Sequence, residues 1–179
     1  MEQKRKAMVF IDGSNLYHNL RRIMDEPTKV SIKKLSEFIC GHFDLDLIEI
    51  RYYNSIPDIE DDKRAYYKHL KFLEDLKKQG MIVNTRKLKK IKKKNIKIEK
   101  GIDVMIPVDM VRKTLVENKC ECCIIISGDA DFIPAMQVLK DCRFEAISSC
   151  VKGGHSSELK EGKFRYLILK KDDVEKCLK

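Results

Sequence analysis

IIISGDADF, running from Ile124 to Phe132, is the stretch whose reading settles the fold. Three β-branched apolar residues in succession describe a strand buried on both faces, the kind found inside a parallel sheet. Ser127 and Gly128 break the run, and the carboxylates Asp129 and Asp131 follow at once. Ligands of an open α/β sheet bind outside the carboxyl ends of its strands, so acids just past such a strand stand where chemistry is done. Met8–Ile11, followed by Asp12-Gly13-Ser14-Asn15, has the same grammar, and Asp103 opens a further apolar segment after Lys100-Gly101-Ile102. If these ends converge, the four carboxylates of Asp12, Asp103, Asp129 and Asp131 meet in one cleft.

A chain of 179 residues, 43% hydrophobic and 36% charged, suits one domain over residues 1–179, large enough to bury a core without staples. No apolar run approaches the roughly 20 residues that cross a bilayer. Met1–Lys6 has no apolar segment behind it of the sort a signal peptide carries. The expectation is a cytoplasmic protein with no membrane partner. Seven cysteines, odd in number and irregular in spacing, fit reduced thiols. Cys120-Glu121-Cys122-Cys123 lacks the second spaced pair of a structural zinc site. Of the net charge of +9, the segment Arg86–Lys100 carries +8, with nine basic residues and the single acid Glu99. Charge so concentrated points to a polyanionic partner.

The first expected elements are a strand over Met8–Ile11 and a helix from Ser14 to about Met24. A second helix runs from a Ser31 cap to His42, followed by a strand over Leu45–Tyr53. The clearest helix is Asp61–Gln79, closed by Gly80, and Met81–Thr85 is a short strand. The basic segment, with Leu88, Ile91, Ile96 and Ile98 among its lysines, reads as a β-arm or a loop. Ile102–Glu117 is a helix that must hold Pro107 near its first turn or bend there. After the strand Cys122–Ser127 come a helix over Phe132–Cys142 with Asp131 as its cap and a strand over Phe144–Cys150. Arg165–Leu169 is a last strand before a short helical tail. Such β-α alternation gives an α/β fold whose sheet is mostly parallel, with right-handed crossovers.

Taken singly, Asp12 and Asp131 stand beside helix starts, where a carboxylate caps free N–H groups. A cap needs one acid, however, and here two follow one strand and a third follows another. Like charges brought close repel unless a cation neutralises them. Mg²⁺ or Mn²⁺ suits an all-oxygen site and supports displacement at phosphorus. His18, His42, His69 and His155 are scattered, with no spacing that would hold catalytic zinc. Neither a GxxxxGK[ST] nor a GxGxxG phosphate loop is present. Gly128-Asp129 is similar to the strand end of haloacid dehalogenase-type phosphatases. Asp12 is followed by Gly13 and Ser14 instead of that family's DxD pattern, which makes this the weaker enzymatic reading.

FIDGSNL (Phe10–Leu16), KGIDV (Lys100–Val104) and SGDADF (Ser127–Phe132), in this order and spacing across Met8–Cys150, resemble the NYN domain family, LabA-like branch, of PIN-like nucleases. The resemblance implies a PIN-like three-layer sandwich with a metal-dependent ribonuclease site. Asp12, Asp103, Asp129 and Asp131 fall on the family's acidic residues. On this reading Asp12, Asp103 and Asp129 hold Mg²⁺ or Mn²⁺, and Asp131 completes the site or orients the attacking water. Asn15 falls on the polar position that supports the first acid, and Ser127 begins the last motif. Asp109 also matches a family acid and lies about 120° round a helix from Asp103, which gives it a supporting place behind the ligands. Lys89, Lys90, Lys92, Lys93, Lys94 and Lys97 would grip the phosphate backbone of RNA. The rival is a non-catalytic RNA-binding or regulatory module on the same fold. Pro107 and the stretch His155–Leu169 depart from the family pattern, and the oligomeric state is left open, a homodimer included.

Overall fold

The computed structural model describes residues 3–87, 89–91, 96–98 and 101–179, and between 87 and 100 only the backbone of 87, 89–91 and 96–98. Its strands are β1 (Lys6–Asp12), β2 (Asp46–Ile56), β3 (Ile82–Lys87), β4 (Lys89–Ile91), β5 (Ile96–Ile98), β6 (Cys122–Ile126), β7 (Glu145–Val151) and β8 (Arg165–Leu169). Six of them form one sheet in the order β3-β2-β1-β6-β7-β8, every neighbouring pair parallel. The helices are α1 (Gly13–Leu20), α2 (Ile32–His42), α3 (Lys63–Lys78), α4 (Ile102–Val111), α5 (Ile133–Asp141), α6 (Ser157–Glu161) and α7 (Lys171–Glu175).

Both central strands are apolar on both faces because both faces are covered. Ala7, Val9 and Ile11 of β1, with Cys122, Ile124 and Ile126 of β6, face a core shared with Leu16, Leu20, Leu35, Ile39, Leu73, Leu76 and Val174. Helices α1, α2, α3 and α7 therefore form one layer. Met8, Phe10, Cys123 and Ile125 face the opposite core, filled by Ile102, Ile106 and Met110 of α4, Met136 and Leu139 of α5 and Leu159 of α6. The result is a three-layer α/β/α sandwich. Each large side chain so buried contributes about 1.5–3 kcal/mol, and the run in the middle of β1 and β6 is buried at every position.

The chain runs outward from β1 to β2 and β3 with its helices on the first face. It then returns through α4 on the second face to β6 and runs outward the other way to β7 and β8. The order of strands thus reverses between β1 and β6.

Local signals account for most element ends. Ser31 caps α2, its hydroxyl accepting from the Lys34 N–H at 3.3 Å. Asp62 caps α3 through the Ala65 N–H at 2.9 Å, and Gly80 takes φ +85° just past that helix. Pro107 is the sixth residue of α4, so it lies beyond the first turn and withholds the N–H that would bond the Asp103 carbonyl. The helix nevertheless continues, as a π-helical turn over Arg112–Val116. Helix α6 is too short for periodicity to reveal. The stretch after Cys150 completes the sheet: β8 is its edge, and the tail docks under α2, the Ser31 N–H donating to the Cys177 carbonyl at 2.8 Å.

The basic segment contains a hairpin in which β4 and β5 pair antiparallel, Lys90 opposite Lys97. Lys89, Lys90 and Lys97 lie on its strands, and Lys92, Lys93 and Lys94 lie outside the described residues. All seven thiols are free. Cys122 faces the first core, whereas Cys120 and Cys123 meet in the second with their sulfurs 3.9 Å apart. Among the described residues no helix is long and apolar enough to cross a membrane.

Ile124 is fully buried in the middle of the sheet. Ile124→Ala is expected to lower unfolding free energy by about 2–5 kcal/mol, the usual cost of an aliphatic cavity. The midpoint and slope of urea unfolding measure it, and a shift below about 1 kcal/mol would contradict the central place given to β6.

Candidate functional site

Strands β1 and β6 pair in register, Ile11 opposite Ile126. Asp12 and Ser127 therefore leave the sheet side by side, with Asp129 two residues further on. This is also where the strand order reverses. Helix α1 leaves towards one layer and α5 towards the other, which opens a crevice at the carboxyl ends of the strands.

Asp12, half-buried, caps α1: its Oδ1 accepts the Asn15 N–H at 3.0 Å. Asp129, exposed, accepts the Asp131 N–H at 3.0 Å and caps a 3₁₀ turn, Ala130–Phe132, that leads into α5. The cap before α5 is therefore Asp129 and not Asp131, because the extra turn begins the helical course earlier. Asp131 is left exposed on the turn. A cap uses one oxygen of a carboxylate that has two.

A polar cluster fixes the two strand ends. The Asn15 Oδ1 accepts the Gly128 N–H at 3.1 Å and the Asn19 amide at 2.8 Å. Ser127 is buried, and its hydroxyl accepts the Asp129 N–H at 3.3 Å. Gly128 lies so close to the loop after β7 that a Cβ there would stand 1.6 Å from the Gly154 carbonyl oxygen. The Ser156 N–H donates to the Gly128 carbonyl at 3.0 Å. A Cβ on Gly154 would in turn stand 2.4 Å from the Asn19 side chain. Sequence reasoning missed Asn19 and Gly154. The signal available was a second asparagine four residues after Asn15, hence on the same helix face.

Aromatic groups border the cluster. Gly13 makes room for the Tyr52 ring, 2.4 Å from where a Cβ would sit. Burial holds the Tyr52 hydroxyl well above its ordinary pKa, and the nearby Asp12 charge pushes it the same way.

Helix α4 packs against β1, β2, α5 and the 3₁₀ turn. Asp103 is exposed in its first turn, with Oδ1 accepting the Gly101 N–H at 3.2 Å. Asp109 faces elsewhere. Its Oδ2 accepts the Tyr53 hydroxyl at 2.7 Å and Arg51 Nη1 at 3.1 Å, while Arg51 Nε reaches Glu49 at 2.6 Å. Asp109 thereby ties α4 to β2. Asp12, Asn15, Ser127 and Asp129 are thus brought to one place, and Asp109 is held in another. Among the described residues no three His, Cys, Asp or Glu side chains stand close enough to hold a metal ion as they are. The acids at the crevice, Asp12 and Asp129, offer carboxylate oxygens. Mg²⁺ is often held by one or two carboxylates, with waters and substrate phosphates filling the remaining positions, and this donor set fits that open kind of site.

Compared with known families, residues 6–169 match the NYN domain model, from the first residue of β1 to the last of β8. The stretch after Cys150 is inside the match. A crystal structure of a protein of unknown function from Vibrio parahaemolyticus is similar with a TM-score of 0.62 at 17% identity, over 97% of this chain and 99% of that one. At this identity the likeness concerns the fold. No curated protein matches the chain.

Two substitutions test this arrangement. Gly128→Ala forces a Cβ into backbone, not into a flexible side chain, so destabilisation at the upper end of overpacking, about 3 kcal/mol, is expected in urea unfolding. A variant of unchanged stability would mean that the loop after β7 does not press on Gly128. Asp109→Ala strands the Tyr53 hydroxyl and one side of a buried guanidinium. A loss of about 2 kcal/mol is expected, less than for a wholly unpaired ion because Glu49 remains; an unaltered melting curve would remove the tie between α4 and β2.

Proposed function

The chain belongs to the NYN domain family, a family of PIN-like nucleases, and from that premise we propose that it is a metal-dependent ribonuclease of the LabA-like branch that hydrolyses RNA phosphodiester bonds at the crevice between β1 and β6. The observation that carries the reading is the juxtaposition of Asp12, at the end of β1, with Asp129, just past its paired neighbour β6, at the point where the strand order reverses.

Asp12, Asp103 and Asp129 would hold the ion, Mg²⁺ or Mn²⁺, directly or through water. When bound, such an ion supplies charge neutralisation at phosphate and a more acidic bound water. The chain's own residues do the rest. Asn15 and Ser127 fix the two acid-bearing backbones relative to each other. Asp131 stands exposed two residues past Asp129, where its carboxylate would orient the attacking water and take up its proton. Water adds to phosphorus, the P–O ester bond breaks, and the leaving sugar oxygen is protonated from solvent. The lysines of the basic segment, Lys89, Lys90, Lys92, Lys93, Lys94 and Lys97, would bind phosphates and offset the repulsion of an acidic crevice for RNA. Asp109 would act at a distance, through the seating of α4 and so of Asp103.

The rival reading is an RNA-binding module without catalysis. Its support is that Asp12 and Asp129 each already serve as caps, so both have a structural reason to be acids.

Incubating single-stranded RNA with the protein and Mg²⁺, Mn²⁺ or EDTA separates the two. Metal-dependent cleavage is expected, and Asp129→Asn, which keeps the cap but loses the charge, should reduce it by about 10²-fold. Binding without cleavage in either metal would favour the module, and full turnover by the Asn variant would remove Asp129 from the site.

Replacing Lys89, Lys90, Lys92, Lys93 and Lys94 with Gln should weaken RNA binding at low salt. The log–log salt slope should flatten by roughly 2–3.5, at about 0.7 for each phosphate that is no longer neutralised, with base preference little changed. Superimposable salt curves for the two proteins would send the RNA path elsewhere.

A further inference from the structure

At the end of the sheet opposite the carboxylates, where β6, β7 and β8 begin, lies an open cavity of about 530 Å³. Nothing in the nuclease reading uses it. We propose that this cavity binds a nucleoside phosphate, the phosphate held by Lys140, Arg143 and Lys163 and the base lodged against Phe144 and Phe164. The inference is independent of catalysis at the crevice.

Charge is the first observation. Five cations and two carboxylates line the cavity. Both carboxylates are committed: Glu145 bridges Arg5 and Arg165, each at 2.7 Å, and Glu121 accepts the Lys6 N–H at 3.0 Å. Arg5 and Arg165 are matched by that bridge. Lys140, Arg143 and Lys163 have no carboxylate partner among the described residues, which leaves the cavity with surplus positive charge.

Backbone conformation is the second observation. Arg143 and Lys163 both take left-handed φ, +67° and +55°, each just past the end of a helix, α5 and α6. That position is ordinarily given to glycine, because a Cβ is strained there. Gly162 stands immediately before Lys163, yet the left-handed conformation falls on the lysine. Gly162 serves the ring instead: a Cβ on it would meet Phe164 at 2.6 Å. Asp44 and Asn118 take the same conformation elsewhere, but Asn and Asp tolerate it more readily than the two long cations that take it beside this cavity.

Aromatic lining is the third. Phe164 is buried, and Lys140 Nζ lies 5.2 Å from its ring centre. With Phe144, half-buried, it gives the cavity an apolar side next to its cationic side. An inorganic anion has no use for apolar walls, whereas a base joined to a phosphate uses both, and the volume falls within the range of small-ligand sites, roughly 300–1,000 Å³. The plainer account is that cations at helix ends only complement the carbonyl dipoles. It explains a positive residue after each helix but not two strained ones facing one aromatic-lined cavity.

The two accounts differ in what Arg143→Gly with Lys163→Gly does to the full chain. If the cations serve a ligand, glycine relieves the backbone, so the melting temperature stays equal or rises while affinity for AMP, measured by calorimetry, falls at least tenfold. Inorganic phosphate should bind more weakly than AMP. If the cations only neutralise helix ends, the double variant binds AMP and RNA as the wild type does, which overturns the proposal. A single-stranded RNA of about ten nucleotides, bound under EDTA to prevent cleavage, separates the sources: weakened RNA binding in the variant, with no AMP binding by either protein, assigns the site to a strand, and weakened AMP binding assigns it to free nucleotide. Amide shifts on the wild-type protein provide a control independent of the variant's folding. AMP or the RNA should move residues 143–146 and 162–165, and if neither does, the cavity is not a nucleotide site.

Discussion

Between the ends of β1 and β6 a single side-chain oxygen, Asn15 Oδ1, accepts the Gly128 N–H and the Asn19 amide together. The geometry of the crevice depends on this arrangement. Parallel pairing brings Asp12 and Ser127 level, but pairing stops at Ile126, and beyond it the chain needs another restraint. Asn15 supplies that restraint from one side, the Gly154 carbonyl presses from the other, and Ser127 steadies the turn from within. An amide oxygen that accepts two donors at once is held in place, and a donor left unsatisfied there would be costly. The acids are therefore positioned by a cluster that is not itself charged.

Helix α4 is governed by a different interaction. Asp109 joins it to β2 through Tyr53 and Arg51, while its first turn carries Asp103 out towards solvent. Pro107 lies between the two and leaves the carbonyl of Asp103 without its helical N–H. The first turn of α4 is thus less constrained by its own backbone than the turn that bears Asp109. Two acids six residues apart on one helix answer to different neighbours.

Much of this was legible in the sequence, for physical reasons that can be named. Ile124–Ile126 and Met8–Ile11 could only be strands covered on both faces, and β-α alternation then made the sheet parallel. Ser31 and Gly80 marked helix ends because capping and left-handed turns are local chemistry. The three motifs pointed to the family by themselves. What stayed hidden was non-local or short. That Gly128 touches Gly154 depends on a loop 26 residues further on, and no periodicity announces it. The five-residue α6 falls below the length at which a stripe can be recognised. Asp131 read as a cap because the 3₁₀ turn before α5 has no sequence signature distinct from the helix itself. The bonds of Asp109 were hidden because its partners, Arg51 and Tyr53, lie more than fifty residues earlier.

The central pairing of β1 with β6 also sets an order of events during synthesis. Ala7 and its partner Cys122 are 115 residues apart. At about 5–20 residues per second, β1 waits roughly 6–23 s for the strand that completes its second edge. During that interval β1, β2 and β3 can assemble with α1, α2 and α3, since their contacts are nearer in sequence. Their second face stays bare until α4 is made, and α5 follows only after β6. The nascent chain therefore passes through a half-built sheet with one apolar face and one open central edge, the kind of edge that pairs readily with other chains. Crowded ribosomes and slow elongation both prolong that exposure, so the yield of native protein depends on how fast the second half is delivered.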